Sequence, residues 1–221
     1  MPNWCYQKLA VSGQAADIAA FKAAYFNDKG KLELNRVIPM PESLNIESGS
    51  QSMTGYDALY GNWERMLNWP RFASLPDEAK VDRASFVAWL QEAEPDCIKL
   101  GHLARENLAV HGFRDWYGWR VRYWGVKWEI GDNQQEMRSD EPTFLDLSFE
   151  TAWSPILPVL ERMSEFLPSL LFELWYLDKG GSFAGLASAQ AGVVSDQDQD
   201  WRKTASEQFG WDFSDEEGDV A

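Results

Sequence analysis

The spacing of apolar residues changes repeatedly along this chain, and this change limits the folds that it can adopt. Residues 5–13 alternate apolar and polar side chains, as a half-buried strand does. Residues 14–26 carry apolar side chains at helical spacing, and residues 31–38 alternate again until two prolines end the segment. The first part of the chain therefore predicts a strand, a helix and a strand.

The same order of elements returns in the last third of the chain. Residues 144–149 alternate as a strand, and a helix begins at Ser154-Pro155, where serine caps the helix and proline suits its first position. Residues 170–177 form a further predicted strand, and residues 42–115 are mostly helical in pattern. We therefore predict an α+β protein with a ferredoxin-like split β-α-β sheet and a helical insertion at about 42–115.

Acidic residues are unevenly distributed along the chain. The 221 residues include 35 acidic and 20 basic ones, for a formal net charge of −15. This charge repels phosphate backbones, so we expect no direct binding to duplex DNA. Residues 191–221 alone hold nine acidic and two basic residues. We predict a ferredoxin-like domain over residues 1–194 and an acidic C-terminal appendage over residues 195–221.

The cysteine content and the start of the chain predict a cytoplasmic protein. Cys5 and Cys97 are too few for a disulfide scaffold and suit a reducing compartment. No apolar run approaches the ~18 residues that a transmembrane helix needs. The segment Met1-Pro2-Asn3-Trp4 lacks the basic and apolar regions of a signal peptide. We therefore expect a cytoplasmic location and no membrane partner.

Four short motifs resemble a known family. They are Met1-Pro2-Asn3-Trp4-Cys5, Ile38-Pro39-Met40-Pro41-Glu42, Tyr123-Trp124-Gly125-Val126-Lys127-Trp128 and Phe149-Glu150-Thr151-Ala152-Trp153-Ser154-Pro155. Over roughly residues 1–190 the chain resembles plasmid- and phage-borne proteins that carry a YubB-type ferredoxin-like domain. The resemblance implies a ferredoxin-like fold and a mobile-element setting, and it implies no known catalytic residues.

Tryptophan is frequent, with twelve in the chain, and four of them fall within residues 116–128. Two rings beside an ammonium group sandwich a planar ligand or bind an anion. The alternative is a pair of strands, over 120–124 and 125–130, whose rings fill the core while Lys127 keeps its ammonium in water. Trp153 directly precedes the predicted helix start at Ser154-Pro155. The free backbone N–H groups of this helix start either bind an anion or are simply capped by the serine. The candidate ligand-binding residues are Trp124, Lys127, Trp128, Arg120, Arg122 and Trp153.

The residue types that perform catalysis or hold metals do not form a recognisable motif. Cys97, His102 and His111 are spaced so that their side chains do not converge on one point of a helix. Cys5 has no base nearby in the sequence, and a small buried cysteine is the simpler interpretation. We expect no enzyme activity, no catalytic residue, no metal and no cofactor.

The acidic C-terminal residues predict a macromolecular partner. Carboxylates in a row stand in for phosphates, and aromatic rings among them anchor a complex. The candidate partner-binding residues are Asp196, Asp198, Asp200, Trp201, Trp211, Asp215, Glu216 and Glu217. We expect a non-enzymatic acidic interaction protein of a mobile element that binds and inhibits a basic host protein of a nucleic-acid-handling defence complex. The alternative is a small-ligand or single-strand-binding module that uses the tryptophans and basic residues named above.

Overall fold

A six-stranded antiparallel sheet organises the computed structural model, which describes residues 3–213. The strands follow the spatial order β2-β3-β1-β4-β5-β6, so that β1 is central and β2 and β6 are the two edges. The strands are β1 (Trp4–Ser12), β2 (Gln135–Glu141), β3 (Phe144–Ala152), β4 (Leu171–Asp178), β5 (Ala184–Gln190) and β6 (Val193–Asp198).

The described residues form two compact units. One, called the sheet unit here, holds residues 3–39 and 120–213, and the other, called the helical unit, holds Met40–Trp119. The helices are α1 (Ala15–Tyr25), α2 (Leu34–Val37), α3 (Ser50–Leu59), α4 (Trp63–Met66), α5 (Arg83–Ala93), α6 (Pro95–His111), α7 (Trp116–Tyr123), α8 (Leu157–Phe166) and α9 (Trp201–Phe209).

The order of elements in the sheet unit is that of a ferredoxin-like fold. Strand β1 pairs antiparallel with β3 on one side and with β4 on the other. The segments β1-α1 and β2-β3-α8-β4 build the order β4-β1-β3-β2, and the hairpin of β5 and β6 extends the sheet beyond β4. The predicted fold class, α+β with a ferredoxin-like sheet, is confirmed.

Alternation along β1 separates the two faces of the sheet. Cys5, Gln7, Leu9 and Val11 are buried, whereas the residues that alternate with them are partly exposed. Helices α1 and α8 lie on the buried face, where the ring of Phe21 meets the ring of Phe172 with centroids 5.6 Å apart. The opposite face is called the open face here, and α9 covers only one end of it.

The predicted strand over residues 31–38 is wrong. The chain makes a single bridge, Phe26 to Leu32, and then turns into the short helix α2. The reason lies in a side chain: the Glu129 carboxylate accepts hydrogen bonds from the backbone N–H groups of Leu34 (2.7 Å) and Asn35 (2.9 Å). These groups would otherwise donate to a neighbouring strand, so the carboxylate ends the extended segment.

The predicted strands over residues 120–124 and 125–130 are also wrong. Residues 116–123 form α7, and Gly125 takes a left-handed backbone with φ 78° that starts a series of turns. Ala191 and Gly192 form a tight turn with positive φ, and this turn separates β5 from β6. The sheet therefore extends to Asp198.

Helices α3 and α6 approach each other closely inside the helical unit. A Cβ atom added at Gly55 would lie 1.6 Å from the carbonyl oxygen of Cys97, and one added at Gly101 would lie 2.4 Å from the backbone of Gly55. Backbone atoms cannot yield as a flexible side chain does. The helical unit therefore depends on glycine at both positions.

We expect Gly55→Ala to destabilise the helical unit by at least about 3 kcal/mol, because one methyl group must separate two packed helices. A urea titration followed by circular dichroism measures the loss. Gly112→Ala is the control: φ at Gly112 is 77° but the space around it is open, so backbone strain alone costs about 1 kcal/mol. Equal midpoints for the Gly55→Ala variant and the wild type would contradict the close approach.

Candidate functional site

Three of the predicted ligand-binding residues meet at the surface of the sheet unit. The Lys127 ammonium lies 4.4 Å from the ring centroid of Trp128 and 5.1 Å from that of Trp153. Both distances are within the range of a cation–π interaction. Trp128 is 37% exposed and Trp153 is 42% exposed. Two large rings thus remain partly in water close to one cation; we call these three residues the Lys127 cluster.

The backbone at Trp153 is strained. Trp153 follows the last residue of β3 and has φ 76°, a left-handed conformation that costs a residue with a side chain roughly 1–2 kcal/mol. Its N–H donates to the carbonyl of Asn3 at 2.9 Å. Trp153, which has the largest side chain, is therefore held in a backbone conformation that normally suits glycine.

Buried polar groups hold the loop around Trp153. Gln7 is 1% exposed; its Nε2 donates to Thr151 Oγ1 at 2.5 Å, and its Oε1 accepts from the N–H of Ile156 at 3.1 Å. Thr151 Oγ1 donates in turn to the carbonyl of Ser154 at 2.7 Å. Because each buried polar atom has a partner, the loop is fixed before any ligand arrives.

Trp124 and Arg120 lie apart from this exposed cluster. Trp124 is 1% exposed, and its Nε1 donates to the carbonyl of Ile38 at 2.9 Å. The Arg120 guanidinium lies 4.8 Å from the Trp124 ring centroid, and burial lowers its pKa, while the charge of Glu129 opposes that shift. Trp124 thus belongs to the core of the sheet unit, and Arg120 is half-buried beside it.

Arg122 is exposed and lines a different depression. A shallow groove of about 260 Å³ lies between the end of α7 and the surface of α8. Its lining includes Arg122, Tyr123 and Arg162, and Arg162 is paired with Glu165 at 2.6 Å. The structure thus divides the six predicted residues among an exposed cluster, the core and this groove.

The acidic candidates form a row on the edge strand β6. Asp196 and Asp198 point to the same side of β6, and Asp200 follows at the start of α9. The Tyr176 hydroxyl donates to Asp196 Oδ1 at 2.7 Å, and burial raises the pKa of Tyr176, with Asp196 adding to the shift. Asp200 Oδ1 accepts from the Lys203 N–H at 2.8 Å and caps α9.

The aromatic candidates of the C-terminal segment contact the chain itself. Trp201 Nε1 donates to the carbonyl of Asp178 at 2.7 Å. The Trp211 ring lies edge-on to Trp201 at 5.6 Å and to Tyr6 at 5.4 Å. These contacts attach α9 to the open face of the sheet. The remaining candidates, Asp215, Glu216 and Glu217, lie outside the described residues.

The cysteines and histidines are held in separate structural contacts. Burial, and then the charge of Asp178, raise the pKa of the Cys5 thiol, which disfavours the nucleophilic thiolate. His102 Nδ1 and the Tyr60 hydroxyl share a hydrogen bond of 2.6 Å, and His111 Nε2 and the Ser43 hydroxyl share one of 3.0 Å. Within residues 3–213, no three side chains of the metal-binding types gather in one place.

Sequence reasoning did not single out Tyr6 and Glu150. These residues face each other across β1 and β3 on the open face, beside a groove of about 330 Å³. The only sequence signal is that both occupy the partly exposed positions of alternating strands.

No helix in the described part of the chain is long and apolar enough to cross a membrane.

A family model matches the last part of the chain. Residues 124–219 match the model described as the ferredoxin-like domain in Api92-like protein. This match includes the Lys127 cluster and the C-terminal segment, and it supports the ferredoxin-like fold. The crystal structure of a protein api92 from Yersinia pseudotuberculosis is similar at 13% identity and a TM-score of 0.48, over 90% of this chain and 98% of that one. No curated protein matches this chain.

We expect Trp153→Gly to be more stable than Trp153→Ala by about 1 kcal/mol, because only glycine adopts φ 76° without a Cβ penalty. Thermal unfolding of the two variants measures the difference. At Trp128, whose φ is negative, the order reverses, and Trp128→Ala is more stable than Trp128→Gly. The same order at both positions would argue against strain at Trp153.

Proposed function

We propose that this protein is a non-enzymatic acidic interaction protein that binds a basic, nucleic-acid-handling protein. The observation that supports this proposal is the row of Asp196, Asp198 and Asp200 along the outer strand and into α9. Among residues 3–213, no lysine or arginine forms a salt bridge with any of the three. Their charge therefore acts outward, toward a partner.

The spacing of this row supports mimicry of a phosphate backbone. Alternate residues on one side of a strand are ~6.8 Å apart, so Asp196 and Asp198 present separate negative charges in a line. A basic groove built for the phosphates of nucleic acid would meet a line of negative charges. The same carboxylates discourage pairing of β6 with another sheet edge, so they also serve the free protein.

The resemblance to plasmid- and phage-borne proteins supplies the setting of this proposal. A protein of a mobile element benefits from blocking a host complex that handles or degrades nucleic acid. In this proposal the protein works in the cytoplasm and inhibits such a defence complex by occupying its phosphate-binding groove. Electrostatic attraction speeds the encounter and weakens as salt is added.

We expect the triple variant Asp196→Asn, Asp198→Asn, Asp200→Asn to lose at least about tenfold in affinity for the partner, because asparagine keeps the hydrogen bonds and removes the charge. Immobilised wild type and variant are incubated with host lysate, and bound proteins are eluted by salt and identified. Duplex DNA, added as a competitor, should displace the partner from the wild type.

The matched control removes three charges elsewhere. Glu64, Glu92 and Glu106 are exposed on the helical unit, and their change to glutamine should leave partner retention unaltered. Capture of no nucleic-acid-binding protein, or retention that persists at 1 M salt, where the Debye length is ~3 Å, would overturn the proposal.

A second candidate function is the binding of a nucleotide or single-stranded nucleic acid at the Lys127 cluster. The observation that favours it is the Lys127 ammonium beside two exposed rings, one of which, Trp153, lies in a loop that buried hydrogen bonds hold in place. Bases stack on aromatic side chains, and an ammonium group binds the phosphate.

We expect adenosine monophosphate and an oligothymidylate to quench tryptophan emission saturably if the Lys127 cluster binds nucleotides. Lys127→Met should weaken either ligand at least about tenfold through loss of the phosphate contact, whereas Lys179→Met, a change at another exposed lysine, should not. Linear, non-saturating quenching would exclude this second function.

A further inference from the structure

A groove on the open face of the sheet lies between the end of α9 and strands β2 and β3. Its volume is about 330 Å³, at the low end of the range for ligand pockets. Its lining includes aromatic and charged side chains, namely those of Tyr6, Glu136, Arg138, Glu150, Phe209 and Trp211.

One wall of the groove is aromatic. Gly210, with φ 69°, ends α9, and the N–H of Trp211 then donates to the carbonyl of Ala205 at 3.0 Å. This turn sends the chain back over the sheet, so that the Trp211 ring lies against Tyr6. Trp211 and Phe209 are both half-buried. Ring surface thus remains available to a further group.

The other wall of the groove is acidic. Glu150 lies directly across from Tyr6 and is half-buried, and its carboxylate forms no hydrogen bond or salt bridge with residues 3–213. Glu136 is exposed beside it and lies 4.0 Å from Arg138. Arg138 occupies the β-bulge of β2, and its Nε donates to Ser148 Oγ at 3.0 Å. Two carboxylates therefore face one cation, and the wall is net negative.

Aromatic faces next to carboxylates recognise a cation. A guanidinium group suits this groove better than an ammonium group, because it is planar, stacks on rings and pairs with a carboxylate through two hydrogen bonds. We propose that the groove binds an arginine side chain of the basic partner, with the Trp211 ring stacking on the guanidinium beside the edge-on ring of Tyr6 and with Glu150 accepting its hydrogen bonds. This inference rests on the proposed function and adds to it the part of the partner that is recognised.

The test uses the full chain and two peptides, nona-arginine and nona-lysine, with affinity measured by isothermal titration calorimetry. The wild type should bind the arginine peptide at least about fivefold more tightly than the lysine peptide. Glu150→Gln should weaken the arginine peptide about tenfold and remove most of this preference. Glu173→Gln is the control: Glu173 is exposed on the same open face and pairs with Ala10, so it should change affinity less than twofold.

Three results would overturn the inference: equal affinity for the two peptides, equal loss from Glu150→Gln and Glu173→Gln, or full affinity in Glu150→Gln. Circular dichroism of each variant confirms that the fold is intact. Failure here is distinct from failure of the proposed function, because the triple Asp→Asn variant on β6 tests partner binding without altering Glu150. If the triple variant loses the partner and Glu150→Gln keeps the arginine preference of the wild type, the proposed function stands and the groove does not bind arginine.

Discussion

The pairing of β1 with a strand on each side is the constraint on which the sheet unit depends. Its register, Tyr6 opposite Glu150 and opposite Leu177, decides which side chains enter the helix layer and which stay on the open face. A shift of one residue would exchange the two faces and would bury Lys8 in place of Leu9. The same register places Gln7 where its amide reaches Thr151. The core, the strained loop at Trp153 and the groove beside Glu150 therefore all depend on one pairing.

The parts of the fold that sequence reasoning found are those with regular periodicity. β1, α1, β3, α8 and β4 each have an apolar face at the spacing of their element, and they were predicted near their actual positions. Residues 31–38 have the same alternation, but the Glu129 carboxylate takes two of their backbone N–H groups. That interaction joins residues about a hundred positions apart, and no local pattern indicates it.

The candidate sites likewise combine residues that the sequence indicates with residues that only the fold brings together. Lys127 and Trp128 are neighbours in the chain, and Trp153 lies in a second motif. The sequence therefore placed all three among the candidate ligand-binding residues. The burial of Trp124 agrees with the alternative in which the rings of this segment fill the core, although α7 and a turn take the place of the predicted strands. Tyr6, Glu150 and Trp211 come from three distant segments, and only the pairing of β1 with β3 and the return of the chain after α9 bring them together.

The position of β1 in the sheet also bears on how the protein is made. β1 is synthesised before both of its neighbours, since Trp4 pairs with Ala152 and Cys5 pairs with Asp178. At ~5–20 residues per second, the central strand waits on the order of ten to thirty seconds for either neighbour. During that interval neither edge of β1 has its partner strand. Unpaired strand edges promote aggregation, so a nascent chain that stops before β3 carries this hazard in β1.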